Sequence, residues 1–282
     1  MPGQLVFQRM NHVNAIVDGF DAAIDHHVQL FGAQLLQRHI EPETDNCLLA
    51  MGGVIIELFT PKGSRERGMG RLLETYGHHY QGVEWLVPST VEALDVIRER
   101  GIRVIYGVEG IFFMTHPADC LGVSLEIFDG DWHRTPKPPN FLEAIHPISY
   151  WKDEHPLGIT GLKHLSQAVT DLDAAVDWYL DVVDTEVLYR EPRPAAGAEA
   201  VGLQMGIDVL ELLAPVEEGR ITEYIERYGP RLRATTFSVR DLGAVERYFA
   251  DRGITMVPGD GTRSLAIPVE QNYGLLYEFA EA

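Results

Sequence analysis

Four short apolar stretches in this chain are each interrupted by a residue able to carry charge or hold a metal. His12 sits in Asn11-His12-Val13-Asn14-Ala15-Ile16-Val17, Glu57 in Val54-Ile55-Ile56-Glu57-Leu58-Phe59, and Glu126 in Val123-Ser124-Leu125-Glu126-Ile127-Phe128. Glu278 sits in Leu275-Leu276-Tyr277-Glu278-Phe279. Rich in β-branched and aromatic residues and ended by Gly, Pro or Asp, each stretch reads as a strand. A carboxylate with such neighbours is not on a solvated face, so it needs a cation, a hydrogen-bond network or a proton. A divalent metal is one such cation, and a histidine beside carboxylates is a ligand set that holds one.

These residues need a scaffold, and the chain writes its scaffold twice. His12 through Ala23 parallels His164 through Ala175 at an offset of 152 residues, which also carries Arg38 to Arg190, Gly101 to Gly253 and Glu126 to Glu278. Glu57 meets Glu211 at 154, consistent with a short insertion near 195–197. Such a constant offset means duplication. Each copy halves again into strand, helix and three strands. In the first copy, strand 11–17 leads to a helix near 20–31 that stops at Gly32. In its second half, strand 82–87 leads to a helix capped by Ser89 with Glu92 three positions on, and ended by Gly101. The expected fold is therefore α+β: four βαβββ modules in two tandem domains, with helices on one face of each curved sheet and a cleft on the other. The first domain is placed at 1–130, a Pro- and Trp-rich ordered linker at 131–158, and the second domain at 159–282. The 192–197 stretch reads as a mobile loop, and Gly52-Gly53 as a hairpin turn.

Composition narrows the function. A formal net charge of −19 argues against nucleic acid or an anionic membrane as partner. No apolar run reaches the roughly 18 residues of a membrane span, and no secretory signal is visible at the start. Two cysteines, Cys47 and Cys120, fit free thiols in a cytoplasmic protein.

Three segments give the chain a resemblance to the vicinal oxygen chelate superfamily, which includes glyoxalase I, methylmalonyl-CoA epimerase and the extradiol dioxygenases. They are His12 with Val17-Asp18 and Asp21-Ala22-Ala23, the run Val54 to Pro61, and the run Thr115 to Phe128. The resemblance implies cupped mixed β-sheets of the glyoxalase type, and metal ligands on the first and last strand of each module. Carried over, it implies His12, Glu57 and Glu126, with a weaker second set at His164, Glu211 and Glu278. The remaining ligand position, five residues before the valine that ends each module's opening strand, falls on Gly82 and Ala234, which offer no side-chain ligand.

Near Gly82 stand substitutes. Glu84 is two residues along the same strand, and His78 and His79 precede it. His12, a glutamate and His79 would make a set for Fe(II), Mn(II), Co(II) or Zn(II). In the second copy Thr236 replaces Glu84 and Arg231 replaces His79, and a cation there disfavours metal. The expected chemistry is proton abstraction beside a carbonyl, of epimerase, isomerase or lyase type, on a small molecule with vicinal oxygens. Glu84 or Glu57 is the base, with Tyr80 and His116 as candidate substrate contacts. An extradiol-type ring-cleaving dioxygenase and a non-catalytic binding or resistance protein are the alternatives. A homodimer is compatible with the resemblance.

Overall fold

The computed structural model describes residues 3–131, 133 and 137–281. Trp132 and Pro136 of the linker lie outside them. Two eight-stranded mixed sheets carry the fold. The first contains β1 (Arg9–Ile16), β2 (Gln34–Ile40), β3 (Thr44–Met51), β4 (Val54–Pro61), β5 (His79–Leu86), β6 (Val104–Val108), β7 (Phe112–Thr115) and β8 (Ser124–Phe128), in the order β2-β3-β4-β1-β5-β8-β7-β6. The second contains β9 (Ile159–Ala168), β10 (Val187–Arg193), β11 (Ala198–Met205), β12 (Asp208–Pro215), β13 (Arg231–Val239), β14 (Val257–Pro258), β15 (Ser264–Ala266) and β16 (Leu276–Glu281). Its order is the same with each number raised by eight. The four strand–helix–three-strand modules are all present, as two tandem glyoxalase-like domains.

Among the described residues seven helices accompany the strands: α1 (Phe20–Phe31), α2 (Gly68–Tyr76), α3 (Thr90–Glu99), α4 (Ile148–Asp153), α5 (Leu172–Val182), α6 (Arg220–Tyr228) and α7 (Leu242–Ala250). Ser89 caps α3 by accepting from the Glu92 amide, as its position suggests. The sequence reading did not anticipate α2, α4 and α6. Helix α6 lays Ile221, Tyr224 and Ile225 on Ala168, Ala198, Ala200 and Leu213 of the second sheet, and so covers part of its concave face. The linker does the same for the first sheet: Phe141 packs with Leu36, Leu48, Ala50 and Ile55.

The two domains meet as pseudo-two-fold mates. A β-carbon on Gly122 would overlap the Pro230 carbonyl oxygen, and one on Gly274 would come within 2.8 Å of the His78 carbonyl oxygen. Both pairs are related by the 152-residue offset. Tyr80 crosses the same boundary, its hydroxyl 3.1 Å from Thr235 Oγ1 and donating to the Leu276 carbonyl at 3.0 Å.

On α1, His27 is wholly buried. Its Nδ1 donates to the Ala23 carbonyl at 2.8 Å and its Nε2 accepts from the Tyr277 hydroxyl at 3.0 Å. Burial pulls its pKa down from 6.5 to about 4. Between those values the unfolded chain binds the extra proton, so stability is full above about 6.5 and declines as the pH falls toward 4. The site is worth about 3 kcal/mol at most. His27→Gln is expected to flatten this acid limb in urea midpoints measured from pH 7.5 to 4.5, whereas an unchanged slope would contradict the assignment.

Candidate metal centre in the first cup

Strand alternation decides which residues face the cup. On β4, β7 and β8 the partly exposed residues are Glu57 and Phe59, Phe112 and Met114, and Glu126 and Phe128. Between them, Leu58, Phe113 and Ile127 enter the helix-side core. His12 lies opposite Glu84 on β5, and Glu84 lies beside Glu126 on β8. The spacing count therefore pointed to the wrong residue on β5. The register shift between Met10 and His12 adds a residue on β1, and the one between Asn14 and Ala15 adds a residue on β5, so a count valid on one strand misses on the other. The residue facing His12 is Glu84, and Gly82 faces Asn14.

Around His12 the contacts are ionic. Its Nε2 is 3.1 Å from Glu57 Oε2 and 3.5 Å from Glu126 Oε2, and its Nδ1 is 3.3 Å from Glu84 Oε1. Asn14 Nδ2 donates to Glu126 Oε2 at 3.0 Å. Ligand atoms of His12, Glu57 and Glu126 lie within 4.8 Å of one another. The pocket side of the group remains open, with the Glu57 and Glu126 side chains 14% and 13% exposed against 3% for Glu84. Burial raises the pKa of Glu57 and Glu84, with His12 acting against it. The three glutamates together outweigh the burial of His12 and push its pKa well up. For Glu126, hydrogen bonds from His12 and Asn14 outweigh desolvation and lower it.

Other candidates lie elsewhere. His79 pairs with Ile16, four residues along β1 from His12, or about 13 Å at 3.3 Å per residue. Its Nδ1 donates to the Gly77 carbonyl, and its ring meets Tyr76 edge-on. Tyr80 pairs with Ala15, whose side of the strand is the helix-side core, and serves the domain boundary. His116 caps the 3-10 turn at Pro117–Asp119, accepting from the Ala118 amide beside the Arg103–Asp119 pair.

In the second cup Arg193, a residue the sequence reading did not single out, donates through Nη2 to Glu211 Oε2 at 2.5 Å. The Tyr189 hydroxyl donates to the same oxygen at 2.9 Å. Burial and Arg193 outweigh Glu211 and lower the pKa of His164, which stands 3.7 Å from Glu211 Oε1. Glu278 accepts from the Asp260 amide at 2.7 Å and is pushed to about 7, first by burial and then by the Asp260 charge. Arg231, the cation expected here, instead stacks 4.1 Å over Tyr76. The 192–197 stretch is thus no loose loop: it ends β10, makes a 3-10 turn, and is pinned by Arg193.

Residues 161–269 match the profile of the Glyoxalase/Bleomycin resistance protein/Dioxygenase superfamily. That match covers most of the second domain. No curated protein matches the sequence significantly. Among solved structures, a mutant of 4-hydroxymandelate synthase from Streptomyces coelicolor aligns over 99% of this chain and 92% of its own, with TM-score 0.72 and 16% identity. The 2,3-dioxygenase LapB from Pseudomonas sp. KL28 aligns over 99% and 94%, with TM-score 0.63 and 10% identity. A variant of homoprotocatechuate 2,3-dioxygenase from B. fuscum aligns over 100% and 73%, with TM-score 0.65 and 14% identity. At these identities the likeness is one of fold.

Proposed function

We propose that the first cup holds a divalent metal and moves a proton beside a carbonyl, on a small substrate that presents two adjacent oxygens. One observation carries the reading, the contrast between the cups. Glu211 of the second is neutralised by a buried arginine, while Glu57, Glu84 and Glu126 of the first surround one histidine, with no arginine or lysine ion pair to any of them among the described residues. The surplus negative charge fits a doubly charged cation.

His12 Nε2, Glu57 and Glu126 are the ligands of this reading, and one imidazole with two carboxylates suits Mn(II), Fe(II), Co(II) or Zn(II). The bound ion would supply Lewis-acid polarisation of a carbonyl. Glu84 Oε1, 3.3 Å from Nδ1 on the other side of the ring, favours the proton on Nδ1 and so turns the Nε2 lone pair toward the two carboxylates. Its desolvated carboxyl, with a raised pKa, is also the group suited to take the substrate proton. Asn14 holds Glu126 in place. The apolar wall of Phe59, Phe112, Met114 and Phe128 receives the body of the substrate and keeps bulk water away. The arginine in the second cup weighs against ring cleavage in that copy. Two buried free cysteines support a cytoplasmic setting. Among the described residues no helix is long and apolar enough to cross a membrane.

Metal analysis after chelator-free purification tests the reading. The wild type is expected to carry near-stoichiometric divalent metal and to gain about 2.7 kcal/mol of stability at a hundredfold excess over Kd. His12→Ala should lose both. Glu84→Gln should keep the metal but slow exchange of substrate C–H into deuterated water by roughly 10²–10⁴-fold. A wild type that is empty and unresponsive to added metal would overturn it.

A further inference from the structure

Resting on that reading of the His12 centre, we infer that Arg9 binds a carboxylate at the far end of the substrate, in a cavity that the second domain completes. Three residues apart on a regular strand, Arg9 and His12 would point to opposite faces. The register shift between Met10 and His12 changes this: Arg9 pairs with Leu86 and His12 with Glu84, two residues apart on β5. Directly paired residues share a face, so both side chains stand on the cup side, about 7 Å apart at 3.3 Å per residue of the paired β5. Met10 pairs with Trp85, and both are in the helix-side core.

Arg9 makes no ion pair among the described residues. Its one protein hydrogen bond there runs from Nε to the Met10 carbonyl, at 3.4 Å. It lines a cavity of about 590 Å3 together with His133, Ile145, Leu162 and Asp208. Gly161, its mate at the 152-residue offset, lines the same cavity, and a β-carbon there would meet nothing within 4 Å. The space opposite Arg9 is therefore open.

The other polar groups of the cavity are already engaged. Asp208 accepts from the Met10 amide at 2.6 Å. His133 has Nε2 3.3 Å from the Asn11 carbonyl, and burial lowers its pKa to about 4, so it is neutral. His146 stacks on Tyr150 at 4.1 Å. Burial raises the pKa of Asp208, and the Met10 amide and the Arg9 charge act against it, but the terminal donors of Arg9 make no hydrogen bond among the described residues, and a carboxylate matches that fork bidentately. A single negative charge also suits a cup already holding three glutamates better than a phosphate dianion does.

Calorimetry on Co(II)-loaded protein with two probes tests the inference: catechol and 3,4-dihydroxybenzoate, which offer the same adjacent oxygens with and without a carboxylate. Wild type is expected to bind the carboxylated probe about tenfold more tightly than catechol. Arg9→Met should abolish that preference without changing metal content or catechol affinity, and Arg9→Lys should restore part of it. Equal affinity of wild type for both probes, or a preference that survives Arg9→Met, overturns the inference and leaves the metal centre standing. Failure of catechol itself to bind sinks the reading of the centre and the role of Arg9 with it.

Discussion

Replacing Arg193 by methionine is expected to cost about 3–5 kcal/mol of stability, because it strands a buried carboxylate. Glu211 is 1% exposed and would keep the Tyr189 hydroxyl and the nearby His164 as partners, but no resident cation. Methionine preserves much of the aliphatic stem, so the loss reports charge more than packing. Pairing the change with Glu211→Gln removes the stranded charge and should recover most of the loss, giving a coupling energy well above 1 kcal/mol in a double-mutant cycle. Urea denaturation of the four proteins measures it. A single-mutant cost below about 1 kcal/mol would mean that the ion pair does not neutralise the second cup. The matching stretch of the first copy places Glu41 at the 152-residue offset from Arg193, so that cup has no equivalent arginine. The two cups descend from one pattern and solve the same electrostatic problem differently.

Gly122→Ala should be nearly as damaging, for a reason unrelated to charge. Gly122 has φ +87°, a region that costs a side-chain-bearing residue on the order of 1–3 kcal/mol. Its new β-carbon would also press on the backbone carbonyl of Pro230 in the other domain. Backbone yields less readily than a side chain, so overpacking adds about 1–3 kcal/mol. The sum corresponds to roughly 10 °C in Tm. Gly110→Ala is the control: φ is +74°, but a β-carbon there would meet nothing within 4 Å. Scanning calorimetry should show the Gly110 variant losing the conformational part alone. Equal losses for the two would mean that close packing at the domain boundary contributes nothing measurable.

The sequence by itself determined the duplicated α+β plan, because strand alternation, helix caps and a constant offset are local or periodic signals. It also marked His12, Glu57 and Glu126 as charged residues in strands whose other residues demand burial, and the family resemblance implied that the three belong to one place. What it left open needed register. Whether position 82 or 84 faces His12 depends on irregularities in the β1–β5 pairing that no residue count reveals, and the one between Met10 and His12 brings Arg9 onto the cup face. Arg193 stayed hidden because a Pro-flanked arginine reads as exposed loop until the turn that carries it folds back over Glu211. His79 and Tyr80 misled for the converse reason: adjacent in sequence to a ligand strand, they are directed by tertiary packing to the domain boundary. Local chemistry chose the residues, and strand pairing, which a shift of one residue inverts, decided which of them meet.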